Sequence, residues 1–361
     1  MNIALISGAY KNAGDFLIED RCRRLLEHLL DGANVQKILL NEVKNKLSDI
    51  RTMDAVVFHG GPIYVKKLEG LFKDKISPNE FAAKSLVVGG GWYGKYANNK
   101  LPFKYNFSDY TMSFWQRVDL CGYGLGCRDL YTLKCLKNKG LRTAIMTGCP
   151  AWYNLETLHI DKVRDDFKQI KKIFVSEPAN KENFSLLFNL IKYLKKTFEG
   201  ADITIVVHKD KNIFFQCTSD GAREFYKNNN VNIVDITNSR KGFELYDSSD
   251  LHIGFRVHAH IYNLSMRKRS VLIEEDGRGA GVNEALGLMG IKAYDDRFAD
   301  DNIYINKIRK AIPCALNANL ISEVDSYLEV LSDTDDRYIN NAFLLMQKYY
   351  QNMERHILKL K

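Results

Sequence analysis

Short apolar runs that close on glycine or polar residues, alternating with amphipathic helical stretches, constrain this chain more than any other feature. NIALISG from Asn2 reads as a strand, and EDRCRRLLEHLL after it reads as a helix with Leu25, Leu26, Leu29 and Leu30 on one face. NVQKILL, DAVVFHGG, KSLVVGGG and LRTAIMTG follow as strands. The pattern weakens around Asn154 to Gln169 and restarts with IKKIFVSEP, then FSLLFNLIKYLKKTF as helix and ADITIVV, VNIVDI, LHIGF and SVLIEE as strands. Such alternation predicts parallel sheets covered by helices on both faces. At about 150 residues per domain, 361 residues suggest two domains. The expected architecture is α/β, with two Rossmann-like domains facing each other across a cleft and joined near residues 160–172. The domains are placed at 1–165 and 166–330. The last stretch, 331–361, contains DDRYINNAFLLMQKYYQNMERHILKL and is expected to be a helix that packs back on the first domain. Ligands of parallel sheets bind beyond the carboxyl ends of the strands, so the residues just after each run matter most.

Composition narrows the partners. Lys+Arg 52 against Asp+Glu 44 leaves +8, which favours anionic partners such as phosphorylated metabolites, lipid head groups or nucleic acid. The basic residues are spread along helices as in KNKL, IKKI and YLKK, and no helix-turn-helix, zinc-finger or RNP signature occurs, so no nucleic-acid partner is expected. No apolar run reaches the roughly 18 residues of a membrane helix, and MNIALISGAY lacks the features of a signal peptide. The expectation is a cytoplasmic protein. The seven cysteines are scattered without a CxxC pair; Cys121, Cys127 and Cys135 are too widely spaced for a zinc site, and no metal is expected. GGGWYG from Gly89 matches a dinucleotide fingerprint formally, but KYANNKLPFKYNF after it does not open a helix. A glycine-rich crossing at the cleft is the expectation there, and no cofactor. P-loop, HExxH, GxSxG and kinase motifs are absent.

The informative segment is SSDLHIGFRVHAHIYNLSMRKRSVLIEEDGRGAGVNEALGLMG, from Ser248 to Gly290. LHIGF leads directly into Arg256, Val257 and His258, and AHIYNLSM reads as a helix, so Arg256 and His258 stand where a strand ends and a helix begins. A helix N-terminus attracts anions through its unpaired N–H groups. Arg256 adds a fork suited to carboxylate or phosphate, and His258 adds a proton carrier near neutral pH. Arg267, Lys268, Arg269 and Arg278 supply further positive charge nearby in sequence. The alternative is structural, with Arg256 capping an acid and His258 buried as a satisfied core histidine.

FRVHAHIYNLSMRKRSVLIEEDGRGAGVNEALGL resembles the signature region of the polysaccharide pyruvyl transferase family, an Arg-aliphatic-His motif followed by helix, strand and a basic residue. Three weaker similarities lie in the expected order. KNAGDFLIEDR carries Gly14 and Asp15; AVVFHGGPIY carries Gly60 and Gly61; CRDLYTLKCLKNKG with IMTGCPA carries Arg128, Asp129, Thr147, Gly148 and Pro150. Two departures are an arginine, Arg278, near the place of a usual lysine, and HGGPIY where the family has a run of three glycines. The resemblance implies a glycosyltransferase B-like fold and transfer of the enolpyruvyl or pyruvyl group of phosphoenolpyruvate onto a sugar hydroxyl of a cell-surface polysaccharide or its precursor. The partners it implies are phosphoenolpyruvate and a sugar, oligosaccharide or lipid-linked glycan, with peripheral contact at the inner membrane surface. It implies His258 as proton donor, because a neighbouring dianion raises a histidine's pKa. Arg256 would hold the donor, with Arg278 as second clamp and His208, after ADITIVV, as a further donor contact or an exposed loop histidine. Gly14, Asp15, Gly60 and Gly61 would face the acceptor. Asp15 can bind or deprotonate a hydroxyl, or merely cap a helix starting near Phe16. The competing readings are a glycosyltransferase of the same architecture using a nucleotide sugar, and a catalytically silent sugar-binding protein.

Overall fold

The computed structural model describes residues 1–10, 12–92, 105–163, 170–295 and 316–361. The expected domain boundary at 165/166, the end of the GGGWYG motif and Cys314 lie outside the described residues.

Two parallel sheets organise the chain. The first contains β1 (Asn2–Ser7), β2 (Asn34–Leu39), β3 (Ala55–Phe58), β4 (Gly61–Tyr64), β5 (Ser85–Trp92), β6 (Gly124–Cys127) and β7 (Ile145–Met146). Its order is β2-β1-β3-β5-β6-β7, with β4 also paired to β5. The second contains β8 (Lys172–Ser176), β9 (Asp202–Val207), β10 (Asn232–Asp235), β11 (Leu251–Gly254), β12 (Arg269–Glu274) and β13 (Ile291–Lys292), in the order β10-β9-β8-β11-β12-β13. β3, β5, β11 and β12 are buried along their whole length, as strands covered on both faces must be. The domains are therefore Rossmann-like, as the alternation predicts. β4, β6 and β13 escape a sequence reading because they are short, and half of β6, GLGC, is glycine, which has poor strand propensity.

Each sheet has one point where the strand order reverses, β1/β3 in the first and β8/β11 in the second. The crevices at such points are where open parallel sheets take their ligands. The loops opening into them carry Gly8 to Tyr10, Asn12 and His59 to Gly60 on one side, and Glu177 and Phe255 to His258 on the other.

The helix Arg337–Ile357 returns to the first domain. His356 Nε2 lies 3.1 Å from the Val87 carbonyl, Asn352 Nδ2 donates to the Met146 carbonyl at 3.0 Å, and Tyr349 and Tyr350 meet the rings of Trp152 and Tyr153. One apolar core consequently runs through both domains and this helix, while a second core fills the other face of the first sheet. No helix among the described residues is long and apolar enough to cross a membrane.

The basic run beside β12 serves this frame. Arg267 donates to the carbonyls of Ile160 at 2.6 Å, Leu158 at 3.0 Å and Leu264 at 3.1 Å, and lies over the Phe343 ring. Arg269 forks onto Asp336, with Nε bonds of 2.8 and 3.0 Å, and Lys268 Nζ reaches the Ser249 carbonyl at 2.8 Å. The expectation that Arg267, Lys268 and Arg269 add charge to the functional segment is corrected: their side chains are spent tying β12 to its neighbours.

Candidate functional site

The second-domain side is built on β8 and β11, which pair Ser176 with Gly254. A Cβ at Gly254 would stand 2.4 Å from Ser176 Oγ, so glycine is what lets the two strand ends close up. Ser176 Oγ then accepts from the Arg256 backbone N–H at 3.0 Å and lies 2.9 Å from His252 Nε2. The next residue, Glu177, is 2% exposed, and burial raises its pKa. It forms an ion pair with Arg256 and accepts the backbone N–H groups of His208 at 3.0 Å and Lys209 at 3.2 Å. The Arg256 guanidinium is thus held by a buried carboxylate, and its Nε finds no protein partner. Arg256 is also the N-cap residue of the helix Val257–Ser265 and makes no side-chain cap bond to it.

The first-domain side meets this helix start directly. Asn12 caps the helix Ala13–Leu29, accepting from Gly14 N at 2.8 Å. That corrects the capping alternative for Asp15, which sits inside the first turn with another residue already doing the capping. Gly14 lies flat against His258: a Cβ there would be 2.2 Å from the ring Nδ1. Arg128 follows β6 and packs into the gap left by Gly91, whose Cβ would fall 2.4 Å from the guanidinium carbon. It is 3% exposed, contacts Asp129 at 3.2 Å and leaves Nη2 without a partner. Asp129 caps the helix Leu130–Asn138 and abuts Gly281 in the second domain.

The electrostatics tie these groups into one cluster. His258 is pushed down to about 3, first by burial and then by Arg278, Arg128 and Arg256. Asp15 is pushed up to about 6 by burial, opposed by Arg278 and Arg128. The usual order is inverted, and at pH 5 the proton sits on the carboxyl and not on the imidazole. Arg128, Arg256 and Arg278, from two domains, therefore act on one neutral imidazole, and Arg128 and Arg278 on one carboxyl beside it, at the mouths of two helices. Such a place takes an anion, and binding one raises both groups' proton affinity.

The expected site residues divide by position. Gly14, Asp15, Arg256, His258 and Arg278 come together. Arg278 forks onto Asp276 with bonds of 3.0 and 2.6 Å while its charge reaches Asp15 and His258. His208 is not an exposed loop histidine: it is buried beside Glu177, with Nε2 2.7 Å from the Tyr246 hydroxyl, and burial, then Arg256, His252 and His258, hold its pKa well below the usual value. Gly60 and Gly61 carry positive φ, and a Cβ at Gly60 would stand 2.8 Å from the Val88 carbonyl, so their freedom serves the passage from β3 into β4 close against β5. Arg128 and Glu177 are additional members that the sequence reading did not assign to the site. A charged residue directly after a run, in GLGCRD and IFVSEP, was the available signal. Among the described residues no group of three His, Cys, Asp or Glu side chains is arranged to hold a metal ion.

A family model described as polysaccharide pyruvyl transferase matches residues 10–277. No curated protein matches the chain. Among solved structures, UDP-GlcNAc 2-epimerase from Neisseria meningitidis bound to UDP-GlcNAc superposes with a TM-score of 0.55 at 12% identity, covering 99% of this chain and 98% of that one. A putative UDP-N-acetylglucosamine 2-epimerase from Listeria monocytogenes gives 0.54 at 11% identity, covering 94% and 90%. An alpha-glucosyltransferase in complex with UDP gives 0.50 at 12% identity, covering 97% and 96%. At these identities the likeness is one of fold: two facing Rossmann-like domains of the glycosyltransferase B type.

Proposed function

The chain belongs to the polysaccharide pyruvyl transferase family, and from that premise we propose that this transferase moves the pyruvyl group of phosphoenolpyruvate onto a sugar hydroxyl. The observation that carries the reading is the convergence of Arg128, Arg256 and Arg278 on His258, with Arg128 and Arg278 also reaching Asp15. Phosphoenolpyruvate brings a carboxylate and a phosphate on one small carbon frame, and two guanidiniums with unpartnered nitrogens, Arg128 and Arg256, offer donors to them. Burial first and the arginine field second keep His258 neutral; the donor's charge, placed against the imidazole, offsets that field and reverses the order of the pair, so that His258 is protonated while Asp15 is ionised. His258 then gives that proton to the donor's methylene carbon, the C=C electrons forming the new C–H bond and leaving cationic character at the adjacent carbon. An acceptor hydroxyl adds there and loses its proton to Asp15. Phosphate departs with the C–O bonding pair, and a second hydroxyl closes the ketal, its proton returning to the neutral His258. Gly14 supports this division of labour by bringing Asp15's turn against the imidazole.

The UDP-bound structural neighbours favour a second reading, a nucleotide-sugar donor in the same cleft. Thermal unfolding with phosphoenolpyruvate, UDP-sugars and GDP-sugars separates the two. A ligand at 100 times its dissociation constant stabilises by about 2.7 kcal/mol. Phosphoenolpyruvate is expected to raise Tm and the nucleotide sugars to leave it unchanged; the opposite result assigns the second reading.

A further inference from the structure

Beside the arginine cluster a groove of about 230 Å³ runs between the domains. Its walls are the same two helices: Leu17, Arg21 and Arg24 continue the face that begins at Gly14, and Tyr262 and Met266 continue the face that begins at His258. Arg21 stands seven residues beyond Gly14, about 10 Å along the axis. The groove therefore opens within reach of the imidazole without including it.

The floor is rich in donors and poor in acceptors. Arg21 is 8% exposed, yet makes no ion pair within 4.0 Å among the described residues. Its Nη2 points at Met266 Sδ at 3.9 Å and its guanidinium lies 6.0 Å from the Tyr262 ring. The Asn154 amide is turned on the same sulfur at 3.0 Å. A thioether is a weak acceptor, so two strong donors share a poor partner. The rim reverses the chemistry. Four carboxylates, Asp20, Glu156, Glu244 and Asp247, stand with the cations Arg24, Arg240 and Lys241. Arg24 is already paired with Asp20 at 3.0 Å, and Arg240 lies over the Phe16 ring. A phosphate would satisfy Arg21 and Lys241 but face Glu156 and Glu244, and Asp247, which already accepts the Tyr262 hydroxyl at 2.7 Å. A ligand offering acceptor oxygens to the floor and O–H donors to the rim, with no charge of its own, satisfies both.

We infer that this groove is a subsite for a neutral, polyhydroxylated ring, a sugar residue of the acceptor next to the one that is modified. Its role as an acceptor subsite rests on the function proposed above; the sugar binding itself does not. The buried faces of Phe243 and Tyr262 give the ring an apolar wall.

The test is saturation-transfer NMR and titration of the full chain with methyl glucoside, methyl galactoside, N-acetylglucosamine and N-acetylmannosamine, with inorganic pyrophosphate as competitor and phosphoenolpyruvate as a separate arm. At least one sugar is expected to bind, with tenfold or greater weakening in Arg21→Gln and unchanged phosphoenolpyruvate affinity. Glu244→Trp alters the exposed rim and fills the groove while sparing its buried floor, and it too is expected to abolish sugar binding. Sugar affinity retained in Glu244→Trp overturns the location. Pyrophosphate binding through Arg21 in place of every sugar overturns the ligand class, and no sugar binding at all overturns the subsite. Sugar binding lost in both variants of a protein that ignores phosphoenolpyruvate upholds the subsite and defeats the proposed donor.

Discussion

Two sets of arginines lie within the same protein and do opposite things. Arg267 and Arg269 stand beside β12 and are engaged with carbonyl groups and the Asp336 carboxylate. Arg128 and Arg256 stand at strand ends, each held by one neighbouring carboxylate and each keeping a buried nitrogen with no protein partner. The two sets differ in place: Arg267 and Arg269 tie one element to another, whereas Arg128 and Arg256 follow strand ends, where parallel sheets take their ligands, and their charge falls on His258. The difference teaches that positive charge in a sequence marks a site only where the fold aims it at a strand-end crevice.

The largest expected effect lies on the group the second set surrounds. His258→Gln keeps approximate size and hydrogen bonding but cannot deliver an imidazolium proton, and turnover should fall by about 10² to 10⁴. Unfolding and phosphoenolpyruvate titration of the same variant are expected to match the parent. Near-normal turnover removes His258 from the chemistry, and loss of folding places it with the frame.

A direct exchange between the sets comes next. Arg269→Met leaves Asp336 buried without its partner, for which about 3–5 kcal/mol of lost stability is expected. Arg256→Lys keeps the charge but loses the fork; its effect should appear in donor affinity, by about 1.5–3 kcal/mol, with stability little changed. Denaturant titration and calorimetric donor titration of both variants read the comparison, and it breaks if the two losses are interchanged.

Acid sensitivity belongs to the histidines. Six of the eight, His59, His208, His252, His258, His260 and His356, have pKa values lowered by burial. Below an unfolded value of about 6.5, the unfolded chain binds protons that the folded chain refuses, so stability falls as pH drops from there toward 4. Asp15, raised to about 6, acts in the other direction. Its folded form holds an extra proton between about 4 and 6, a contribution lost as pH rises through 6. Burial raises Glu177 and Glu275 in the same direction. Three carboxyls are outnumbered by six histidines, and Tm measured at pH 7, 6 and 5 should decline; a flat profile contradicts the burial of these histidines.

Much of this was legible in the sequence where the signal is local. The alternation gave both sheets, and the strand-to-helix passage at GFRVHAH exposed Arg256 and His258 without tertiary information. What was hidden depends on contacts between distant segments. Arg128 matters because Gly91 leaves room for its guanidinium, and Glu177 because the pairing of Gly254 with Ser176 brings it under Arg256. The inversion of Asp15 and His258 arises from burial between two domains, which no spacing along the chain encodes. Arg267 to Arg269 misled for the same reason: three adjacent cations read as one patch until the partners Ile160, Ser249 and Asp336 are in view.

The returning helix Arg337–Ile357 sets how this molecule can be taken apart. Sequence order assigns it to the end of the second domain, but its polar anchors are Val87 and Met146 in the first. A chimera joined at the crossover between the sheets would separate the first domain from the segment that completes its core. The exchangeable parts are therefore a discontinuous unit, the first sheet with the final helix, and an inserted one, the second sheet between them. Any recombination of donor and acceptor specificities among relatives has to cut the chain twice.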